Sequence, residues 1–468
     1  MPSPPDGFDL ALIGAGITSL TLSIALSRLG IKHTIYEQSP HLTELGAGLG
    51  FGPNAWRALQ LVDPQLSEIF NQVGTFAGKS SQSRPQNTAP ANSTTTTNEH
   101  SNHDPTFGQA INSDFTNEGN AVWIEFLPGT SPLPASSIPP SFTVYATHGR
   151  GHAAVHRAKW LDILGSLVTA PIVFSKRFES LGQPESSDSV TIHFSDGSTA
   201  THSAVIGCDG VKSRVRTALF PEARCGYSGK YAYRVLIPLD EGVKLLGEGR
   251  AGVSSLWMGP GAHLLTFPVL DKLNIVAFVT DANTEWQSNT SLTVPATKQD
   301  AINDFKNIRF SDTVLELLDA IPERFKLNKW GLFDLADRPP PAFCQGRVML
   351  IGDAAHASTP HHGSGAGFCM EDVAVLKGLF EEFLRFGIGS EGLEAVFAQF
   401  DSSRRERDQW LVQSSRRAAD LYELRLEGMR LDEMKKDIEE RQEVCWGFNV
   451  EEAIAQAKMG LKERLRYV

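Results

Sequence analysis

Residues 8–19 read Phe8-Asp9-Leu10-Ala11-Leu12-Ile13-Gly14-Ala15-Gly16-Ile17-Thr18-Ser19, and this stretch decides the architecture. Phe8 to Ile13 is a short, mostly apolar run suited to a buried parallel strand, Ile17 to Leu29 carries apolar residues at helical spacing, and His33 to Glu37 supplies a second strand. Such a unit predicts an α/β sheet with ligands at the carboxyl ends of its strands. Glycine is needed at 14 for the tight turn and at 16 so that backbone can approach a pyrophosphate seated on the N-terminus of the following helix. Glu37, 18 residues after Ser19, is placed to accept hydrogen bonds from a ribose. Ser19 stands where the pattern has Gly or Ala, which implies slightly looser helix packing or a contact of its own. The glycines alone are a weak signal. With a strand before them, a helix after them and the acid at this distance, they read as a dinucleotide site.

Two further constellations follow strands. Gly207-Cys208-Asp209-Gly210-Val211-Lys212-Ser213-Arg214-Val215-Arg216 begins with what by itself is only an Asp-Gly turn. The stretch from Gly352-Asp353 through Pro360-His361-His362-Gly363-Ser364-Gly365-Ala366-Gly367 follows the buried strand Val348 to Ile351. Its small residues let backbone lie against a flat, polyol-linked ligand. Asp353 is placed to hold a ribityl hydroxyl, and the helix start near Gly365 to stabilise an anion.

In this order and spacing the three constellations resemble those of the class A flavoprotein monooxygenases, the family of para-hydroxybenzoate and salicylate hydroxylases, and above all its fungal salicylate-hydroxylase-like branch. The resemblance implies an α/β fold with a Rossmann-like FAD-binding domain, an interleaved β-sheet substrate domain and a helical C-terminal region. It assigns Gly14, Gly16 and Glu37 to the adenosine half of FAD and Arg157 to its phosphate or ribityl region. Asp209 falls in a motif associated with both FAD and the nicotinamide donor, and Asp353 with Gly363, Gly365, Ala366 and Gly367 falls at the ribityl and isoalloxazine. Ile17 and Gly48 complete the expected cofactor contacts. FAD is thus expected to be tightly bound, NADH or NADPH to dock transiently, and O2 to be the oxidant. No second glycine motif follows a strand, so a separate nicotinamide domain is not expected.

The implied reaction is hydroxylation of a small phenol, either salicylate-type or a fungal polyketide phenol. An ionised phenol is a far better carbon nucleophile, so the site should favour phenolate and exclude water. Candidates for that work are Arg234, whose match in the fungal relatives lies beside the substrate oxygen, with His263 and the pair His361 and His362 as proton carriers near neutrality. Tyr233, Phe267 and Pro360 are expected to line the substrate pocket. Tyr231 and Tyr233 are expected to alternate across their strand, so that at most one faces that pocket. His356 and Trp257 read as structural. Two other readings stay open: an epoxidase or oxidase acting on a non-aromatic ligand, and a flavin-binding regulatory protein without turnover.

The whole chain fits this frame. Its 468 residues, 41% hydrophobic, are ample for two or three domains, and a formal charge of −11 without a long basic run excludes the footprint of a nucleic-acid binder. Five cysteines are spread singly, with no metal-ligand spacing, which fits a reducing, cytoplasmic setting. The apolar start lacks a basic n-region and is broken by its glycines, so it is not read as a secretory signal, and no run suggests a membrane span. The expected division is 1–77 for the first part of the FAD-binding domain, with a disordered Ser/Thr/Asn-rich insertion over 78–120. Substrate-sheet residues then open 121–230, and the second FAD-binding part covers about 150–225. The substrate sheet proper follows over 231–335, the last FAD-binding part over 336–390, and C-terminal helices over 391–468.

Overall fold

The computed structural model describes residues 8–42, 48–76, 116–117, 120–130, 141–148, 151–182, 188–288 and 290–466. The expected insertion over 78–120 lies outside the described residues except for the short strand Thr116–Asn117 and Asn120.

A six-stranded sheet forms the first layer, in the order Cys344–Gln345, Val348–Leu350, Ala204–Gly207, Leu10–Ile13, His33–Tyr36 and Ile172–Val173. All neighbours are parallel except the first pair. Its strands are apolar because both faces are covered: Leu10, Leu12, Ile35, Val205, Ile206, Met349 and Leu350 are all fully buried. The register sets Ile13 opposite Gly207 and Gly207 opposite Leu350. The three glycine-bearing stretches therefore leave three adjacent parallel strands at the same edge, and Glu37 follows the fourth. The run from Ala200 to Ile206 is divided between two strands. Ser203 bonds to the backbone of Asp9, which ends the antiparallel strand Thr199–His202 and starts Ala204–Gly207 in the parallel sheet.

The second layer is a larger, mostly antiparallel sheet centred on Gly226–Pro238, Lys272–Thr280, Ala262–Val269 and Ser254–Gly259, flanked by Asn328–Asp334 and Asn120–Pro128. One face buries Tyr231, Tyr233, Ile237, Ala277 and Leu264 against Ala301, Phe305, Val314 and Leu317 of the helices Lys298–Asn307 and Asp312–Asp319. The other, inner face looks back toward the nucleotide side of the molecule: a Cβ added to Gly48, on the strand Gly48–Phe51, would lie 2.6 Å from Phe267 Cε2.

Four helices close the chain: Gly365–Phe386, Leu393–Tyr422, Leu431–Trp446 and Val450–Leu465. The first stops at Gly387, whose φ of +64° is the left-handed cap that glycine adopts without strain. Buried Phe380, Phe383, Phe397 and Phe400 knit this bundle to the parallel sheet. Among the described residues no helix is long and apolar enough to cross a membrane.

Candidate active site

A cavity of about 490 Å³ opens at the carboxyl edge of the parallel sheet, lined by Gly14, Ala15, Gly16, Glu37, Arg157, Asp209, Gly210 and Arg214 among others. Gly14 has φ +97°, and a Cβ there would meet the Cys208 carbonyl oxygen at 2.8 Å, so this turn accepts only glycine. A Cβ on Gly16 would touch no protein atom within 4 Å and would instead stand in the space above the N-terminus of the Ile17–Arg28 helix. Glu37 fixes the turn from the side, its Oε2 accepting from the Ala15 N–H at 2.7 Å and its Oε1 from the Ser39 N–H at 2.8 Å. Each oxygen keeps a lone pair for a hydroxyl donor. Asp209 caps the helix Arg214–Leu219 through Oδ2, at 2.7 Å from the Arg214 N–H and 3.1 Å from that of Val215, while its buried Oδ1 has no hydrogen-bond partner among the described residues. Burial raises its pKa against these hydrogen bonds.

The 352–367 stretch leaves the neighbouring strand Val348–Leu350 at the same edge of the sheet. A Cβ on Gly352, at φ +65°, would lie 2.8 Å from Thr18 Oγ1, so half-buried Asp353 starts its helix directly beside the first glycine turn. Beneath it is a wholly buried charge cluster. Asp372 Oδ2 accepts from the Gly352 N–H at 3.1 Å and lies 2.7 Å from His356 Nε2, and Arg404 reaches Glu371, Asp372 and Asp408 at 2.9, 2.8 and 2.6 Å. His356 is thereby structural, as expected. Burial opposes its charge, but Asp408 and Asp372 prevail and push its pKa up to about 9. Gly365, Ala366 and Gly367 form the first turn of the Gly365–Phe386 helix, with Gly363 at φ +61° just before it.

The registers of the large sheet place Lys230, Ala232, Arg234, Val276, Phe278, His263, Leu265 and Phe267 on its inner face. Arg234 sits there among apolar neighbours, its guanidinium carbon 5.7 Å from the centre of the Trp330 ring. His263 is 1% exposed and stacks on Phe278 at 4.4 Å. His361 packs against both, at 5.4 and 5.0 Å between ring centres, and among the described residues neither of its buried ring nitrogens has a hydrogen-bond partner. Desolvation lowers the pKa of His263, and that of His361 well below the ordinary value, so both rings are neutral at pH 7.

Other expected residues lie elsewhere. Tyr233 and Tyr231 do not alternate: positions two apart share a face, and both point outward, their hydroxyls donating to Asp304 Oδ2 at 2.5 and 2.8 Å. Tyr233 therefore lines no pocket on the inner face. His362 turns away from the sheet to Ser414 Oγ at 2.8 Å and stacks at 6.0 Å on Trp410, and its pKa drops to about 4 through burial. Pro360 is exposed at the start of the Pro360–His362 turn. Glu423 and Lys230, which meet behind His263, carry no sequence motif and were not among the expected residues.

The residues present fit FAD: a glycine turn with open space over a helix N-terminus, a carboxylate beside that turn, an arginine and an orphaned carboxylate oxygen line one cavity. The comparisons agree. A family described as an FAD binding domain matches residues 164–415. The FAD-dependent monooxygenase pigN of Monascus ruber is 34% identical over 98% of this chain and 97% of its own length. The salicylate hydroxylase asL1 of Sarocladium schorii is 32% identical over 97% of this chain and 91% of its own. Among solved structures, a salicylate hydroxylase substrate complex matches with a TM-score of 0.75 at 26% identity, covering 98% of both chains. The chain therefore belongs to the salicylate-hydroxylase-like FAD-dependent monooxygenases, with FAD as its cofactor.

Proposed function

We propose that the protein hydroxylates a small phenolic ring, with NADH or NADPH as electron donor and O2 as oxidant. The observation that carries this reading is His361: a buried imidazole with both nitrogens unpartnered, beside His263 on the sheet face that also presents Arg234. A buried polar group without a partner is costly, and a hydroxyl-bearing ligand relieves that cost. When bound, FAD supplies the electron transfer and the oxygen activation.

The chain's own residues do the rest. Arg234 keeps its charge at any working pH and stabilises the phenolate oxygen. Ala232, Val276, Phe278, Leu265 and Phe267 keep water out, which strengthens that charge interaction. Neutral His263 and His361 can take and return a proton. The expected division into an interleaved FAD-binding domain, a substrate sheet and C-terminal helices belongs to the same proposal. So does a cytoplasmic location, which the five free thiols support.

A phenol panel assayed anaerobically for the rate of flavin reduction by NADH and NADPH tests the reading, with at least one phenol expected to accelerate reduction. Bound FAD with no nicotinamide oxidation in the presence of any phenol would point instead to a regulatory flavoprotein. Carbon dioxide release, measured alongside, separates decarboxylative hydroxylation of the kind asL1's name indicates from ring oxidation that keeps every carbon.

A further inference from the structure

Behind the inner face of the sheet, Glu423 caps the helix Leu393–Tyr422 and is fully buried, as are few carboxylates in any protein. Its Oε1 lies 3.4 Å from His263 Nδ1, close enough for charge attraction, and among the described residues neither atom makes a hydrogen bond. Its other oxygen, Oε2, is held by the Lys230 ammonium and the Thr280 hydroxyl. Lys230 is itself buried and reaches outward to Asp420 at 3.6 Å, where the side chain is 38% exposed. The cluster of His263, His361 and Glu423 has the spacing of a metal site, but an ammonium already sits on its carboxylate.

We propose that Glu423, locked by Lys230, is a positioning residue that holds His263 as its Nδ1–H tautomer, leaving Nε2 as the base that ionises the phenol. The inference rests on the phenol-hydroxylase reading above. Only one nitrogen of a neutral imidazole carries a proton, and the acceptor beside Nδ1 decides which. The phenol O–H proton moves to Nε2 and its electron pair stays on the oxygen. The imidazolium so formed faces the Glu423 charge, and the proton leaves from the same nitrogen when product release admits water. Lys230 keeps Glu423 ionised: burial works against that charge, but the contact with His263 and the Lys230 ammonium hold its pKa well below the carboxylate range. The titratable groups facing His263 are Glu423 and Tyr422 from the helix end, Lys230 from its own sheet and His361 from the turn.

The test uses the full-length enzyme with FAD. In nitrogen-15 histidine spectra, with the His263 signals assigned by their loss in His263→Gln, the wild type should show the neutral Nδ1–H form from pH 6 to 8, and Glu423→Gln should lose that preference. Turnover of a series of fluorinated phenols of rising acidity supplies the second readout. Glu423→Gln should slow un-ionised phenols at least about tenfold, yet change those already ionised at the assay pH by less than about twofold, and raising the pH should restore the former. If Glu423→Gln does not fold, Lys230→Met/Glu423→Gln removes both charges together and should show the same pattern. An Nε2–H tautomer in the wild type, equal losses across the series, no loss at all, or a stoichiometric metal ion that the variant lacks would each overturn the proposal. Failure of the phenol-hydroxylase reading looks different: the wild type oxidises no phenol while its histidine spectrum is as expected, and that result removes this proposal with it.

Discussion

Replacing Arg404 by methionine should be among the most damaging single changes outside the cofactor cavity. Arg404 is fully buried and lies 2.9, 2.8 and 2.6 Å from Glu371, Asp372 and Asp408, all of them fully buried too. Without it, Glu371 keeps Arg407 and Asn54, and Asp372 keeps His356 and the Gly352 N–H. Among the described residues Asp408 keeps only His356, at 3.9 Å. Breaking a buried pair from one side costs about 3–5 kcal/mol, and here the cost concentrates on Asp408, whose pKa burial already raises. The double variant Arg404→Met/Asp408→Leu removes both members and should recover much of the loss, since an apolar replacement of a buried pair is often near neutral. Urea unfolding followed by tryptophan fluorescence reads both. A single variant within about 1 kcal/mol of wild type, or a double variant no better than the single, refutes the reasoning.

Other outcomes follow from the same geometry. The pKa of His356 is raised from 6.5 to about 9, so its stabilisation is complete below 6.5 and is lost as pH rises through 9. Unfolding midpoints should fall across that window by the equivalent of about 3 kcal/mol, and His356→Gln should flatten the slope. Gly14→Ala places a Cβ 2.8 Å from the Cys208 carbonyl at φ +97°, with a strain of about 1–3 kcal/mol, and should weaken FAD retention on gel filtration at least about tenfold. Tyr233→Phe loses the 2.5 Å bond to Asp304 and should lower stability by about 1–2 kcal/mol while phenol turnover stays unchanged; a large loss of turnover would return Tyr233 to the pocket. Arg234→Ala should cut turnover of un-ionised phenols by about a hundredfold, and normal hydroxylation would contradict its role.

The amino-acid order by itself determined what is local. A strand, a glycine turn and a helix lie within about twenty residues of one another, and the φ of +97° at Gly14 is a local demand of that turn. Gly14, Gly16 and Glu37 were therefore readable, as were the family pattern and the helical character of the C-terminal region. Tertiary structure decided whatever depends on partners far along the chain. Strand order alone sets Ile13, Gly207 and Leu350 side by side and so brings three motifs to one edge of the sheet. Alternation puts Tyr231 and Tyr233 on one face and Arg234 on the other, but only the packing of the Lys298–Asn307 helix, which brings Asp304 to the tyrosines, says which face is outside. Glu423 and Lys230 are 193 residues apart and sit in no motif, so nothing nearby in the chain marks them. A buried charge is tolerated only where its counter-charge is delivered to the same spot, and only the folded chain delivers it.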